Sequence, residues 1–256
     1  MRAAAFLAIL CTVALADPAA DRLPVGPGDF VSVLPSGAVE QRIHVERFSL
    51  DRRPVTNAQF LAFVVSHPRW QRGQTPALFA DTDYLSHWAG PVRLGDNAQA
   101  DQPVTRVSWF AARAYCEAAG GRLPTWYEWE YAAAADEHRA DARTDPTWRE
   151  KILDWYARPA SHPLTVVGQD PANFYGIQDL HGLIWEWVED FNALIVSGDS
   201  RDQGDPDKLK FCGAGALSLK DKDNFAVLMR IAFLSALEAR SSARSLGFRC
   251  AAGVSP

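Results

Sequence analysis

The side chains that could act on a substrate are spread thinly along this chain, and few of them stand at the spacing of a known catalytic motif. None of the six histidines has a second histidine four positions away, so no helical pair of metal ligands is visible. No Gly-x-Ser-x-Gly segment is present, which leaves a serine-hydrolase nucleophile without local support.

Arginines form the one cluster of candidate functional side chains in the sequence. Arg230, Arg240, Arg244 and Arg249 crowd the C-terminal third of the chain. Two interpretations are open: ion pairs with the many acids of the sequence, or a cleft that holds an anionic or peptide substrate.

The first 16 residues have the features of a secretory signal peptide. Arg2 provides a positive charge, residues 3–13 are apolar, and Ala14-Leu15-Ala16 is a small-x-small cleavage site. We expect cleavage after Ala16 and a periplasmic or secreted protein. A lipoprotein attached through Cys11 and an uncleaved anchor are the alternatives. No other stretch is long and apolar enough to cross a membrane.

The remaining chain is long enough for one domain with a sizeable core. Residues 17–29 are rich in Pro, Gly and Asp and are predicted to be a flexible lead-in, followed by a single domain over residues 30–253. The net charge is −5 and no basic run is present, so nucleic acid is not expected as a partner.

Three capped helices must position the functional residues. Thr125 follows Pro124 and stands three residues before Glu128, which is the spacing of a capping box, and Thr56 and Gln59 repeat it. Ser108 is placed to cap another helix that Gly120 would end. Residues 31–51 are predicted to form strands, and residues 68–97 a long packed loop.

Three blocks carry a resemblance: GRLPTWYEWEYAAAA at residues 121–135, NFYGIQDLHGLIWEW at residues 173–187, and LGFRC at residues 246–250. In this order they resemble the formylglycine-generating-enzyme-like domain, also called the sulfatase-modifying-factor domain. The resemblance covers nearly the whole chain. It implies an α+β fold, related to C-type lectins, with short helices, short strands and much irregular chain.

The resemblance also implies a disulfide between Cys116 and Cys250, because family members commonly pair the cysteines at these two positions. The loop closed by this bridge is long, and the chain-entropy model assigns such a bridge about 4–5 kcal/mol. Cys212 is then the odd thiol, and three roles stay open for it: buried and inert, paired between chains, or reactive.

The oxidising chemistry of this family depends on two cysteines that bind copper(I) and follow a glycine-rich segment. The matching stretch here is residues 212–224, where Ser218 and Asp223 occupy the two cysteine positions. No cysteine lies between Gly213 and Arg249. Copper(I) prefers soft thiolates, so we do not expect copper or formylglycine production by that route. Ser218, Asp223, Asn224 and Arg230 are the candidate cleft residues, and no catalytic role is assigned to them.

A calcium site is a further expectation of the resemblance. Leu183 replaces an asparagine of the usual motif, and Asn173, Asp179 and Glu186 remain as oxygen ligands for a hard cation. Trp185 and Trp187 are interpreted as core residues, and His181 as structural.

Two functions follow. The first is an exported accessory or maturation factor that binds a protein segment or small molecule in a surface cleft. Its client would be a periplasmic copper or nitrogen-oxide enzyme, because Phe211-Cys-Gly-Ala-Gly215 and Met229-Arg230 are similar to the copper-nitrite-reductase-associated subgroup. The alternative is a periplasmic oxidoreductase of the siderophore-chromophore type, or another oxygen-dependent maturation enzyme, working without cysteines.

Overall fold

A computed structural model gives the fold, and it describes residues 21–32, 42–157, 164–193 and 225–253. Short helices alternate with small sheets and long irregular connections, so the predicted α+β fold is confirmed. Within the described ranges the strands are β1 Arg22–Val25, β2 Gly28–Val31, β3 Arg42–Val45, β4 Phe48–Asp51, β5 Trp185–Glu186, β6 Leu246–Gly247 and β7 Ala251–Gly253. The helices are α1 Asn57–Ser66, α2 Trp109–Ala118, α3 Trp126–Ala133, α4 Pro146–Ala157 and α5 Phe225–Ser235, with 3₁₀ turns at Pro68–Trp70 and Phe191–Ala193.

The two ends of the described chain meet in one antiparallel sheet of order β1-β4-β7. β2 and β3 pair with each other, and β5 pairs with β6 in parallel, which brings Trp185 beside Leu246. The prediction of a flexible lead-in at residues 17–29 was wrong from Arg22 onward. Val25 is fully buried, because β1 pairs along its whole length with β4, a partner that local composition does not reveal.

The three predicted helix starts are confirmed. α1 and α3 both begin with a complete capping box, Thr56 with Gln59 and Thr125 with Glu128. The Ser108 hydroxyl accepts the Ala111 N–H at the start of α2. These side chains satisfy backbone N–H groups that the first helical turn leaves without intrahelical partners.

The core is aromatic and is closed by a disulfide. Phe60 of α1 contacts the rings of Trp88, Tyr115 and Phe248. Next to Tyr115, Cys116 is bonded to Cys250, 134 positions later, as the resemblance implied. The predicted packed loop at residues 68–97 contributes Trp88, whose indole N–H donates to Asn57 Oδ1 at 3.0 Å.

α4 was not predicted, and it lies in a charged stretch of the sequence. Asp145 caps it, since its Oδ1 accepts the Thr147 N–H at 2.8 Å, and Pro146 occupies the first helical position. In the part of the chain that the structure describes, no helix has both the length and the apolar content needed to cross a bilayer.

Candidate functional site

Of the four candidate cleft residues, Arg230 is the one that the structure describes. Ser218, Asp223 and Asn224 lie outside the described residues. Arg230 is on α5, is 1% exposed, and places its Cζ 3.5 Å from the centroid of the Trp129 ring. It also donates to the Glu186 backbone carbonyl at 2.5 Å. Arg230 therefore contacts two of the motif blocks from inside the fold, and it does not line an open surface.

Glu186 and Arg249 form an ion pair in which both side chains are fully buried. Arg249 Nη2 lies 2.8 Å from Glu186 Oε1, and its Nε lies 3.0 Å from both carboxylate oxygens. The Trp129 indole N–H donates to Glu186 Oε2 at 2.8 Å. The remaining guanidinium N–H groups donate to the backbone carbonyls of Asp51, Arg52 and Gln178. A buried charge pair is tolerated when its other polar positions are satisfied, and this one is.

We call Trp129, Glu186, Arg230 and Arg249 the buried network. Trp129 comes from the first sequence block, Glu186 from the second and Arg249 from the third. For Arg249, the ion-pair interpretation of the arginine cluster is correct. For Arg230, the contact seen is different from the expected cleft. Its guanidinium lies over the ring of Trp129, which is favourable once both groups are desolvated. The network joins the three blocks, so these motif residues hold the fold together.

His181 adjoins the buried network as a neutral side chain. Its Nε2 lies 2.8 Å from the Ala133 carbonyl, which fixes the proton on that nitrogen. The rings of Trp129 and Trp148 lie 5.8 and 5.6 Å from its ring. Burial lowers the pKa of His181 to about 4, and the nearby charge of Arg230 acts in the same direction. These contacts agree with the structural role expected for it.

The three candidate calcium ligands already bind groups of the protein. Asn173 Oδ1 accepts the backbone N–H groups of Tyr175 and Ile177. Both carboxylate oxygens of Glu186 face Arg249, whose charge opposes a cation there. Asp179 Oδ2 accepts the Gly168 N–H at 2.5 Å. Within the described ranges no three His, Cys, Asp or Glu side chains cluster around a possible ion. As arranged, these three side chains are engaged with groups of the protein, and the calcium site stays a prediction.

A second group of side chains, which was not predicted, is mainly aromatic and partly exposed. Trp185 stacks on Phe233 with ring centroids 4.9 Å apart, and the Trp155 ring meets Trp185 edge-on at 6.1 Å. Met229, one turn before Phe233 on α5, is 42% exposed. We call Trp155, Trp185, Phe233 and Met229 the α4–α5 aromatic face. Of the two tryptophans expected in the core, Trp187 is fully buried and Trp185 is not.

Gly182 permits the close packing behind this face. A Cβ at this position would lie 3.2 Å from Asp170 Oδ2 and 3.4 Å from Trp155 Cδ1, and its φ is +108°. A side chain at residue 182 would strain the backbone and push Trp155 away. The sequence signal that could have located the face is the Asp145-Pro146 helix start, because it places Trp155 on a helix.

The model of the sulfatase-modifying factor enzyme 1-like domain matches residues 15–254 of the chain. The chain belongs to this family. It is 31% identical over 215 residues to the inactive C-alpha-formylglycine-generating enzyme 2 of Mus musculus, covering 67% of this chain and 68% of that protein. It is 30% identical over 260 residues to the formylglycine-generating enzyme of Streptomyces coelicolor, covering 83% and 81%.

A third relative belongs to another activity. The hercynine oxygenase of Mycobacterium tuberculosis is 34% identical over 162 residues, which are 57% of this chain. The match spans 38% of that protein's length. The relatives of this sulfatase-modifying factor enzyme 1-like chain therefore include two differently named enzymes and one protein named inactive.

The disulfide limits the number of free thiols in this chain. Of its four cysteines, Cys116 and Cys250 are consumed in the disulfide. Cys11 and Cys212 remain, and both lie outside the described residues.

Proposed function

We propose that this protein is an exported accessory or maturation factor that binds a protein segment or a small molecule and does not perform copper-dependent formylglycine formation. The observation that carries the proposal is the loss of thiols. Ser218 and Asp223 stand at the positions of the copper-binding pair, and the stretch between Gly213 and Arg249 contains no cysteine.

The disulfide strengthens this conclusion. A copper(I) dithiolate needs two free sulfurs held close together. With Cys116 bonded to Cys250, the only other sulfurs from cysteine are those of Cys11 and Cys212. Cys11 belongs to the apolar segment that we propose is removed with the signal peptide. The exported chain would then hold a single thiol, Cys212.

The α4–α5 aromatic face supports a binding function. Partly exposed aromatic side chains with an exposed methionine offer a partner both apolar area and ring edges. α5 is anchored beneath this face by Arg230, so the face is presented on a fixed helix. We propose a segment of a periplasmic copper or nitrogen-oxide enzyme as the partner.

Export is part of the same proposal. The signal-like N-terminus directs the chain to a compartment in which disulfides persist, and the Cys116–Cys250 bond suits the periplasm or the exterior.

Oxygen-dependent oxidation without cysteines is the second candidate function. The observation in its favour is the similarity to a protein named hercynine oxygenase. Substrates of this activity would include a siderophore chromophore or another oxygen-dependent maturation target.

Metal analysis and oxygen uptake test both candidates on the full chain. We expect no stoichiometric copper in the purified protein and no oxygen consumption with a cysteine-containing sulfatase peptide. Bound copper at one ion per chain, with oxidation of the peptide cysteine, would overturn the accessory function. Oxygen uptake with another substrate, lost in Asp223→Ala and retained in Asp96→Ala, would establish the oxidoreductase instead.

A further inference from the structure

A second partly exposed aromatic surface lies where the loop after α1 meets the first turn of α2. The ring of Phe79 meets the ring of Phe110 edge-on, with centroids 5.2 Å apart. Arg69 places its Cζ 4.6 Å from the centroid of the Phe79 ring. Leu78, the residue before Phe79, is 73% exposed. We call Arg69, Leu78, Phe79 and Phe110 the Phe79 platform.

The platform is held in place by hydrogen bonds on both sides. The Thr75 hydroxyl donates to the Arg69 carbonyl at 3.1 Å. The Asp81 N–H donates to the Arg240 carbonyl at 3.0 Å, which ties the far end of the segment to the chain after α5. The exposure of Leu78 is therefore a property of a fixed surface, and a fixed apolar surface loses little conformational entropy on binding.

The positive charge of Arg69 favours an anionic partner for the platform. Arg69 is exposed, and in the described ranges its guanidinium contacts rings and no carboxylate. A guanidinium over a ring keeps its N–H donors available at the edge for a carboxylate. An acid placed beside an apolar side chain would meet Arg69 and the Leu78–Phe79 surface at the same time.

We propose that the Phe79 platform binds an acidic segment of a partner protein that carries a phenylalanine beside an aspartate or glutamate. The phenylalanine covers Leu78 and Phe79, and the carboxylate pairs with Arg69. A nucleic acid would also offer rings and anions, but the platform has one arginine and the sequence has no basic run that would neutralise a row of phosphates. The platform shares no residue with the α4–α5 aromatic face, so the inference goes beyond the proposed function.

Fluorescence anisotropy with short labelled probes tests the inference on the full chain. The probe is a blocked six-residue peptide that alternates Asp and Phe, and the comparison probes are its Lys–Phe counterpart and oligothymidylate. We expect saturable binding of the Asp–Phe peptide alone. Arg69→Ala and Leu78→Ser should each weaken it by about tenfold, the loss typical of a central contact residue.

Matched variants control for general effects of charge and surface. Arg93→Ala and Val92→Ser remove an exposed arginine and an exposed aliphatic side chain elsewhere on the same loop, and binding should not change. Met229→Asp should also leave it unchanged, which separates this surface from the α4–α5 aromatic face. Circular dichroism checks that each variant is folded. Absence of saturable binding, equal binding of the Lys–Phe peptide, tighter binding of oligothymidylate, or an unaffected Arg69→Ala variant would each overturn the inference.

Discussion

Tryptophan side chains have different roles in the buried network and in the α4–α5 aromatic face. In the network, the ring of Trp129 and the guanidinium of Arg249 are fully enclosed, and every N–H of Arg249 has an acceptor. On the face, Trp185 and Phe233 stack on each other and stay partly open. The family motifs thus lie mainly in a region that holds the chain together. The partly exposed aromatic face is built mostly from residues outside them.

The contrast between the buried network and the α4–α5 aromatic face requires that Arg249 stabilises the fold. Arg249→Met should leave Glu186 as a buried carboxylate without its cation, and removal of one partner of a buried pair costs about 3–5 kcal/mol. The free energy of unfolding, measured by urea denaturation monitored through tryptophan fluorescence, should fall by this amount. A loss below about 1 kcal/mol, the scale of a surface ion pair, would contradict the network's structural role.

Two further variants sharpen that result. Arg240→Ala removes an exposed arginine paired with exposed Glu238, and it should change stability by less than about 0.5 kcal/mol. The double variant Glu186→Leu/Arg249→Met removes both charges, so its loss should be smaller than that of Arg249→Met alone. A double variant as damaged as the sum of the single variants would show that the ion pair is not the unit of stability.

His181 gives the next largest effect because its pKa is lowered to about 4 by burial. Between pH 6.5 and 4 the unfolded chain binds a proton that the folded protein excludes, so this contribution to stability is present above pH 6.5 and lost on acidification. Lowering the pH from 7 to 5 should remove about 2 kcal/mol, from about 1.5 pH units at 1.36 kcal/mol each.

The measurement compares the pH dependence of the free energy of unfolding between the unaltered protein and His181→Gln. His87, whose pKa burial also lowers to about 4, loses stability in the same window. Asp51 acts in the opposite direction, because burial raises its pKa to about 6 and its stabilising contribution is lost as the pH rises. Both contributions cancel in the difference. Identical unfolding curves against pH for the two proteins would show that His181 is not held neutral by the fold.

The two regions also differ in how far they could be read from sequence. The capping boxes at Thr56 and Thr125 were predictable because all their atoms lie within four residues. The pairing of Glu186 with Arg249 spans 63 positions, and local periodicity cannot show which arginine reaches which acid. The start of β1 at Arg22 was missed for the same reason: its partners are β4 and, through it, β7. The disulfide was foreseen only through the family resemblance.

The aromatic face was missed because exposure is a property of the assembled fold. Trp185 and Trp187 are two residues apart in one motif, yet Trp187 donates to the Val107 carbonyl in the core while Trp185 stacks on Phe233 at the surface. Nothing in the residue types distinguishes them. Their difference appears only when α5 packs beside β5.

The smallest effect on stability should accompany a clear effect on binding. Met229→Asp places a charge at a position that is 42% exposed, so the free energy of unfolding should change by less than about 0.5 kcal/mol. The same carboxylate would be desolvated beneath a partner, and affinity should fall by about tenfold or more. Titration against a purified copper nitrite reductase, followed by isothermal calorimetry, compares both proteins.

Val92→Asp, at an exposed position on the loop before α2, is the matched control and should bind normally. If Met229→Asp binds as tightly as the unaltered protein, the α4–α5 aromatic face is not the docking surface; if the unaltered protein does not bind at all, this class of partner is wrong. Binding lost with stability retained would show that the chain keeps its scaffold and its contact surface in separate sets of aromatic residues.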